Sequence, residues 1–227
     1  GQQFCHGNGH SRGRRVSQPD NLIPFIVKTF LEKVIGKTAA DGQSVDATQV
    51  AAIMAEACPA GNYRGKKVLA IVPDATRTAP VGQLFQALFR QIGAVTQNLD
   101  VLIALGTHQP MTEEAICGRL DLSPEQRRGE FSTVRFFNHA WNDKNQLCNI
   151  GTIPAAEISR LSNGLFAMDV PVEINKLVFE YDQIIIIGPV FPQEVVGCSG
   201  GNKYLFPGVG GAAILHFFHW RRSEGHS

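Results

Sequence analysis

The chain has 227 residues, 44% of them hydrophobic and 18% charged, with a formal net charge of +1. That composition supplies a core for one large domain, or one domain and part of a second, while the near-neutral balance and scattered Lys and Arg exclude a nucleic-acid footprint. No apolar run reaches the roughly 18–20 residues of a membrane span, and the five cysteines form no CxxC pair, so free thiols in a reducing cytoplasm and a soluble protein are expected.

Residues 1–20 are rich in Gly, Ser, Arg and His with almost nothing to bury, and are expected to be disordered or foreign to the fold. Leu22–Ile35 is a mixed apolar lead-in, irregular or helical. Val50, Ile53, Met54 and Ala57 recur at helical spacing, predicting a helix over Asp46–Cys58 with Asp46 as N-cap and Pro59-Ala60-Gly61-Asn62 as its end. Lys67–Val72 reads as a strand running into Pro73–Pro80. Val81–Ile92 follows as a helix with Leu84, Phe85, Leu88, Phe89 and Ile92 on one face. Leu99–Leu105 is a second buried strand, ending in Gly106–Thr112. Thr112-Glu113-Glu114 opens a helix with acidic residues in its first turn, and Ser123–Arg128 is another short one. Phe131–His139 alternates and carries aromatics, which predicts a strand. Val170–Ile174 and Ile184–Ile187 complete the strand set, the last aliphatic enough to be buried on both faces. After the turn Pro207–Gly211 an apolar helix-like segment carries His216 and His219, and 221–227 is a polar tail, disordered or foreign.

Strands alternating with helices predict an α/β domain over 21–220, a largely parallel, Rossmann-like sheet with helices on both faces. In such sheets ligands lie beyond the carboxyl ends of the strands. The polar stretches DATR (74–77), GTHQP (106–110), NHAW (138–141) and SGGNK (199–203) all follow strands. They are expected on one rim.

Each stretch carries its own chemistry and a plainer alternative. Arg77 suits a phosphate through its planar fork and Asp74 suits ribose hydroxyls, or the two close their own turn as an ion pair. His108, held between Gly106-Thr107 and Pro110, can serve as a general base or simply hydrogen-bond. His139, among Phe136, Phe137 and Trp141, fits packing or a substrate wall better than proton transfer. Lys203 beside Gly200 and Gly201 can bind phosphate or react through its amine. Neither GxxxxGK[ST] nor GxGxxG is present, which weakens the ordinary nucleoside-triphosphate and dinucleotide readings. His216 and His219 share one side of a helix, as one core residue and one metal ligand or as two ligands. Cys198 is read as a small buried thiol.

Together, DATR at 74–77, GTHQPMT at 106–112, PQEVVGCSGGNKYLFPG at 192–208 and His219 resemble the amino-terminal domain of the lactate racemase family, over Pro24 to Trp220. That family comprises 2-hydroxyacid racemases and epimerases dependent on a nickel-pincer nucleotide, the Ni(II) complex of pyridinium-3,5-bisthiocarboxylic acid mononucleotide. The resemblance implies that Lys203 is the lysine bound covalently to one sulfur-bearing arm and that His219 is the imidazole ligand to nickel. It also implies that Asp74, Ala75, Thr76 and Arg77, with Gly200 and Gly201, hold the cofactor. His108 then matches one of two catalytic histidines acting on the substrate hydroxyl. The implied partners are a small 2-hydroxy acid and the cofactor-synthesis proteins, with no nucleic acid and no membrane.

Two departures accompany the resemblance. The second catalytic histidine should stand ten residues before Lys203, where this chain has Gln193. A glutamine hydrogen-bonds a hydroxyl but does not take its proton at neutral pH. The family's carboxyl-terminal domain, which closes the cleft, is also absent from this chain. The expectation is a racemase or epimerase domain impaired by Gln193 and truncation, beside the alternative of a non-catalytic nucleotide- or cofactor-binding remnant.

Overall fold

The computed structural model describes residues 34–193 and 197–217. The expectations for the 1–20 and 221–227 tails, most of Leu22–Ile35, and His219 lie outside these residues. The architecture belongs to one compact unit beginning at Lys37.

Helix α1 spans Ala47–Ala57, and Asp46 caps it in a capping box with Gln49. Strand β1 (Lys67–Pro73) leads to α2 (Val81–Ile92), and β2 (Asn98–Ala104) leads to α3 (Glu113–Arg119), capped by Thr112. Helix α4 (Pro124–Arg128) starts at Ser123, and β3 is Phe136–Asn138. Then come β4 (Leu147–Ile153), α5 (Ala155–Leu161), β5 (Val170–Asn175) and β6 (Gln183–Ile186). The short pair β7 (Pro192–Gln193) and β8 (Gly197–Cys198) precedes a 3-10 turn over Gly201–Tyr204 and a helical segment over 212–217.

The main sheet has four parallel strands in the order β3-β2-β1-β6. The two central strands are buried continuously, as parallel strands covered on both faces must be. Val68, Ala70, Val72, Val101 and Ile103 face Val81, Phe85, Leu88 and Ile92 of α2 together with Ile116 and Leu120. Leu69, Ile71 and Leu102 face the other way and pack on Ile174, Tyr204 and Val209. Helices of a shorter kind cover this second face, the 3-10 turns Lys176–Phe179 and Gly201–Tyr204.

Several expected elements differ. β5 does not join the parallel sheet but pairs antiparallel with β4, a strand the sequence pattern did not reveal. β4 hides because its ladder is irregular between Asn149 and Gly151, where the Asn149 side chain takes the Gly151 N–H at 2.8 Å, and its middle faces solvent. The strand predicted over Phe131–His139 shrinks to Phe136–Asn138 because Phe131 serves another layer. Its ring lies 4.6 Å from Phe89 and 6.0 Å from Phe85, under the helices. Gln183–Ile186 are half-buried rather than buried on both faces, because among the described residues β6 pairs only with β1 and stands at the sheet edge. No helix among the described residues is long and apolar enough to cross a membrane.

Candidate functional site

All four strands of the sheet end on one side, so the loops that follow them share one rim. The loop after β1 turns on Asp74, which is 7% exposed. Its Oδ1 accepts the Thr76 N–H at 3.1 Å and the Thr76 hydroxyl at 2.6 Å, a local turn that aspartate side chains favour. Oδ2 meets His108 Nδ1 at 2.5 Å. Burial alone would raise the Asp74 carboxyl, but the Thr76 hydroxyl, His108 and the Thr76 N–H outweigh it and hold the carboxyl below its ordinary value. The Asp74–Arg77 ion pair is therefore not the arrangement found. The carboxylate turns inward to Thr76 and His108, and Ala75, Thr76 and Arg77 are exposed.

His108 is half open to solvent, at 53% of its side-chain area. With Nδ1 directed at the Asp74 carboxylate, that nitrogen is the donor, and in the neutral ring this leaves Nε2 as the acceptor, the polarity a general base needs. Two contacts fix its loop. Gly106, at φ +55, donates its N–H to Gly208 O at 2.9 Å, and Asn138 clasps Met111 through both the N–H and the carbonyl.

The glycine turn comes against this rim from the other side. Gly200 (φ +77) and Gly201 (φ +54) occupy left-handed backbone, and a Cβ on Gly200 would strike the Pro189 carbonyl. Lys203 follows in the 3-10 turn, half-buried. Burial, and then the neighbouring Arg77 cation, lower its amine from the ordinary value. Tyr204 is buried against Gly188, where any side chain would collide with its hydroxyl. Burial raises its phenol, Arg77 and Arg119 act to lower it, and Asp74 acts to raise it.

Asp74, Thr76, Arg77, His108 and Lys203 are thus brought together, as the strand-end argument expects. His139 is 1% exposed, donating from Nε2 to Gly210 O at 3.0 Å and accepting from Asn175 Nδ2 at 3.2 Å at Nδ1, which favours packing over a substrate wall, the two roles its sequence context left open. Gln193 lies in β7 opposite Gly197. His216 is exposed, edge-on to Trp141 at 5.9 Å between centroids. Among the described residues no group of three or more His, Cys, Asp and Glu could hold a metal, and the proposed ligand His219 lies outside them. Sequence reasoning missed Tyr204 and Arg119. Tyr204 adjoins Lys203 and could have been found as the bulky partner of Gly188, whereas Arg119, at the end of a helix, carries no such signal.

The family profile for the "Lactate racemase N-terminal domain" matches residues 25–226. A lactate racemase of Thermoanaerobacterium thermosaccharolyticum is 28% identical over 148 residues, 63% of this chain and 30% of that protein. A crystal structure of a protein from Thermotoga maritima superimposes with a TM-score of 0.69 at 28% identity, covering 81% of this chain and 43% of that one. The apoprotein structure of the T. thermosaccharolyticum lactate racemase gives 0.51 at 24% identity, over 84% and 37% of the two chains, and so shares the fold. The chain spans less than half the length of each of these relatives.

Proposed function

The chain belongs to the family of lactate racemase N-terminal domains, and on that premise we propose that it forms the cofactor-holding half of a 2-hydroxyacid racemase or epimerase site. The observation that supports this reading is the pairing of buried Asp74 with exposed His108 on the rim that also carries Arg77 and Lys203.

The residues fit a nickel-pincer nucleotide. Burial first, and then the neighbouring Arg77 cation, disfavour the Lys203 charge, and an anionic nucleotide would offset the second. A depressed amine also spends more time in the neutral, acylatable form. In this reading Lys203 holds a thiocarboxyl arm covalently, Arg77 and the 74–77 turn take the phosphate and ribose, the Gly200-Gly201 backbone lets the ring approach, and His219 binds nickel through a soft-metal-compatible imidazole. When bound, the group supplies an electron-poor ring able to take up and return the substrate's hydride. The chain's own part is proton work. His108 Nε2 receives the proton of the 2-hydroxyl, and Asp74, itself oriented by Thr76, stabilises the resulting imidazolium.

Gln193 favours a second reading, a domain that binds the cofactor without racemising. Loss of one acid–base group costs about 10²–10⁴ in rate, and in this reading the hydroxyl of each enantiomer needs a base on its own side of the site. Co-expression with the cofactor-synthesis proteins followed by intact mass and nickel assay tests the binding claim. An adduct with about one nickel per chain, lost in Lys203→Ala, is expected. Unmodified, nickel-free protein sinks it. Activity is then read with Gln193→His in a chain carrying the second domain, where racemisation of 2-hydroxy acids is expected to rise.

A further inference from the structure

Arg119 ends α3, yet its side chain does not run out to water. Nε donates to the carbonyl of Pro73 at 3.2 Å and Nη1 to that of Ala79 at 3.4 Å. These two carbonyls bracket 74–78, the loop that carries Asp74, Thr76 and Arg77. The third nitrogen, Nη2, is buried and has no hydrogen-bond partner among the described residues. An unmatched buried donor costs about 1–3 kcal/mol, more on a charged group. A lysine would avoid that orphan, but its single ammonium has no planar fork to bridge two carbonyls at once.

We propose that Arg119 is a positioning residue for the anion-binding loop, tying its two ends together so that Asp74 stays turned to His108 and Arg77 stays turned outward. The fork sets the span between Pro73 and Ala79, and the turn that Asp74 makes with Thr76 has to fit within that span. The inference rests on the reading of the 74–77 turn as a nucleotide site, although the tie itself does not require a ligand.

The test uses the 227-residue chain as wild type, Arg119→Ala and Arg119→Lys. Amide exchange of Thr76, bonded to Asp74, and of Val81, bonded to Ala79, is measured beside calorimetric titration with nicotinic acid mononucleotide as the probe. In both variants the two amides should exchange about ten-fold faster while β2 amides keep their protection. Probe affinity should fall about ten-fold, and ethylguanidinium should restore both properties in Arg119→Ala. Loop protection equal to wild type in either folded variant overturns the tie, and Arg119→Lys gives the answer if Arg119→Ala does not fold. Loosened loops with unchanged probe affinity overturn the positioning role. A wild type that ignores the probe, with loops still loosened in the variants, upholds the tie and instead defeats the nucleotide reading.

Discussion

Asp74 and His108 are 34 residues apart in sequence and meet at 2.5 Å, carboxylate to imidazole, across the carboxyl ends of adjacent parallel strands. The register of β1 and β2, which sets Pro73 beside Ala104, brings the two loops to one place. The buried partner is the carboxylate and the open one is the imidazole, so orientation comes from within and reactivity faces out.

Replacing Asp74 by Asn keeps the shape but removes the anion that selects the His108 tautomer. In a holoenzyme able to turn over, the rate should fall by about 10²–10⁴ with little change in substrate KM. The same substitution has a stability signature. Asp74 is held below its unfolded value, so its contribution is present above about pH 4 and is lost as pH falls through the lower folded value. Urea unfolding from pH 6 to pH 3 should show a shallower loss in Asp74→Asn than in wild type, and equal slopes would refute the assignment.

His139 responds to pH in its own way. Burial lowers its pKa, against the opposing effect of the Gly210 carbonyl, so the folded protein keeps it neutral where the unfolded chain protonates. Stability is unaffected above about pH 6.5 and declines below it until the folded value is reached. His139→Phe removes that slope and leaves the Gly210 carbonyl and the Asn175 amide without their partner, at a cost of about 1–3 kcal/mol at pH 7.5. Unfolding curves at pH 7.5 and 5.5 for both proteins decide it.

Much of this site was readable because its residues follow strands, and a parallel sheet places every such loop on one edge. DATR and GTHQP converge for that reason, whereas the SGGNK turn follows the separate β7–β8 pair. What the pattern could not show was pairing between side chains. Asp74 with Arg77 and Asp74 with His108 are equally consistent with the sequence, and only the register of β1 with β2 chooses. Phe131 misled for a related reason, since alternation marks a strand only when both faces of the segment belong to one sheet. The ring of Phe131 instead completes the aromatic layer on Phe85 and Phe89.

Away from the rim, Asp100 is fully buried and receives Arg135 through its N–H, Nε and Nη2, the Tyr181 hydroxyl at 2.7 Å and the Asn98 amide. Asp100→Ala should cost about 2–3 kcal/mol, less than the ~3–5 of a fully buried pair because Arg135 is 62% exposed and can turn to water. The rim lies at the other end of β2, so cofactor capture by folded Asp100→Ala should match wild type. A changed adduct yield on Lys203 would mean that this network reaches the site.

Gly200 offers the sharpest backbone test. Its φ of +77 disfavours any side chain, and a Cβ would meet the Pro189 carbonyl, which cannot yield as a flexible side-chain tip could. Gly200→Ala should therefore shift the turn and carry Lys203 with it. The α2 face of the sheet does not depend on this turn, and on the other face Tyr204 is one of several residues packed on Leu69 and Ile71, so the melting temperature should drop by only a few degrees, about 1 kcal/mol in free energy. Adduct formation at Lys203 should instead fall about ten-fold or more, since misplacement by about 1 Å is enough to cost 10²-fold in a positioned reaction. Gly201 has φ +54 but open space where its Cβ would stand, so Gly201→Asn, a residue that tolerates left-handed backbone, should retain most of the adduct. If both variants label like wild type, the turn does not position the lysine.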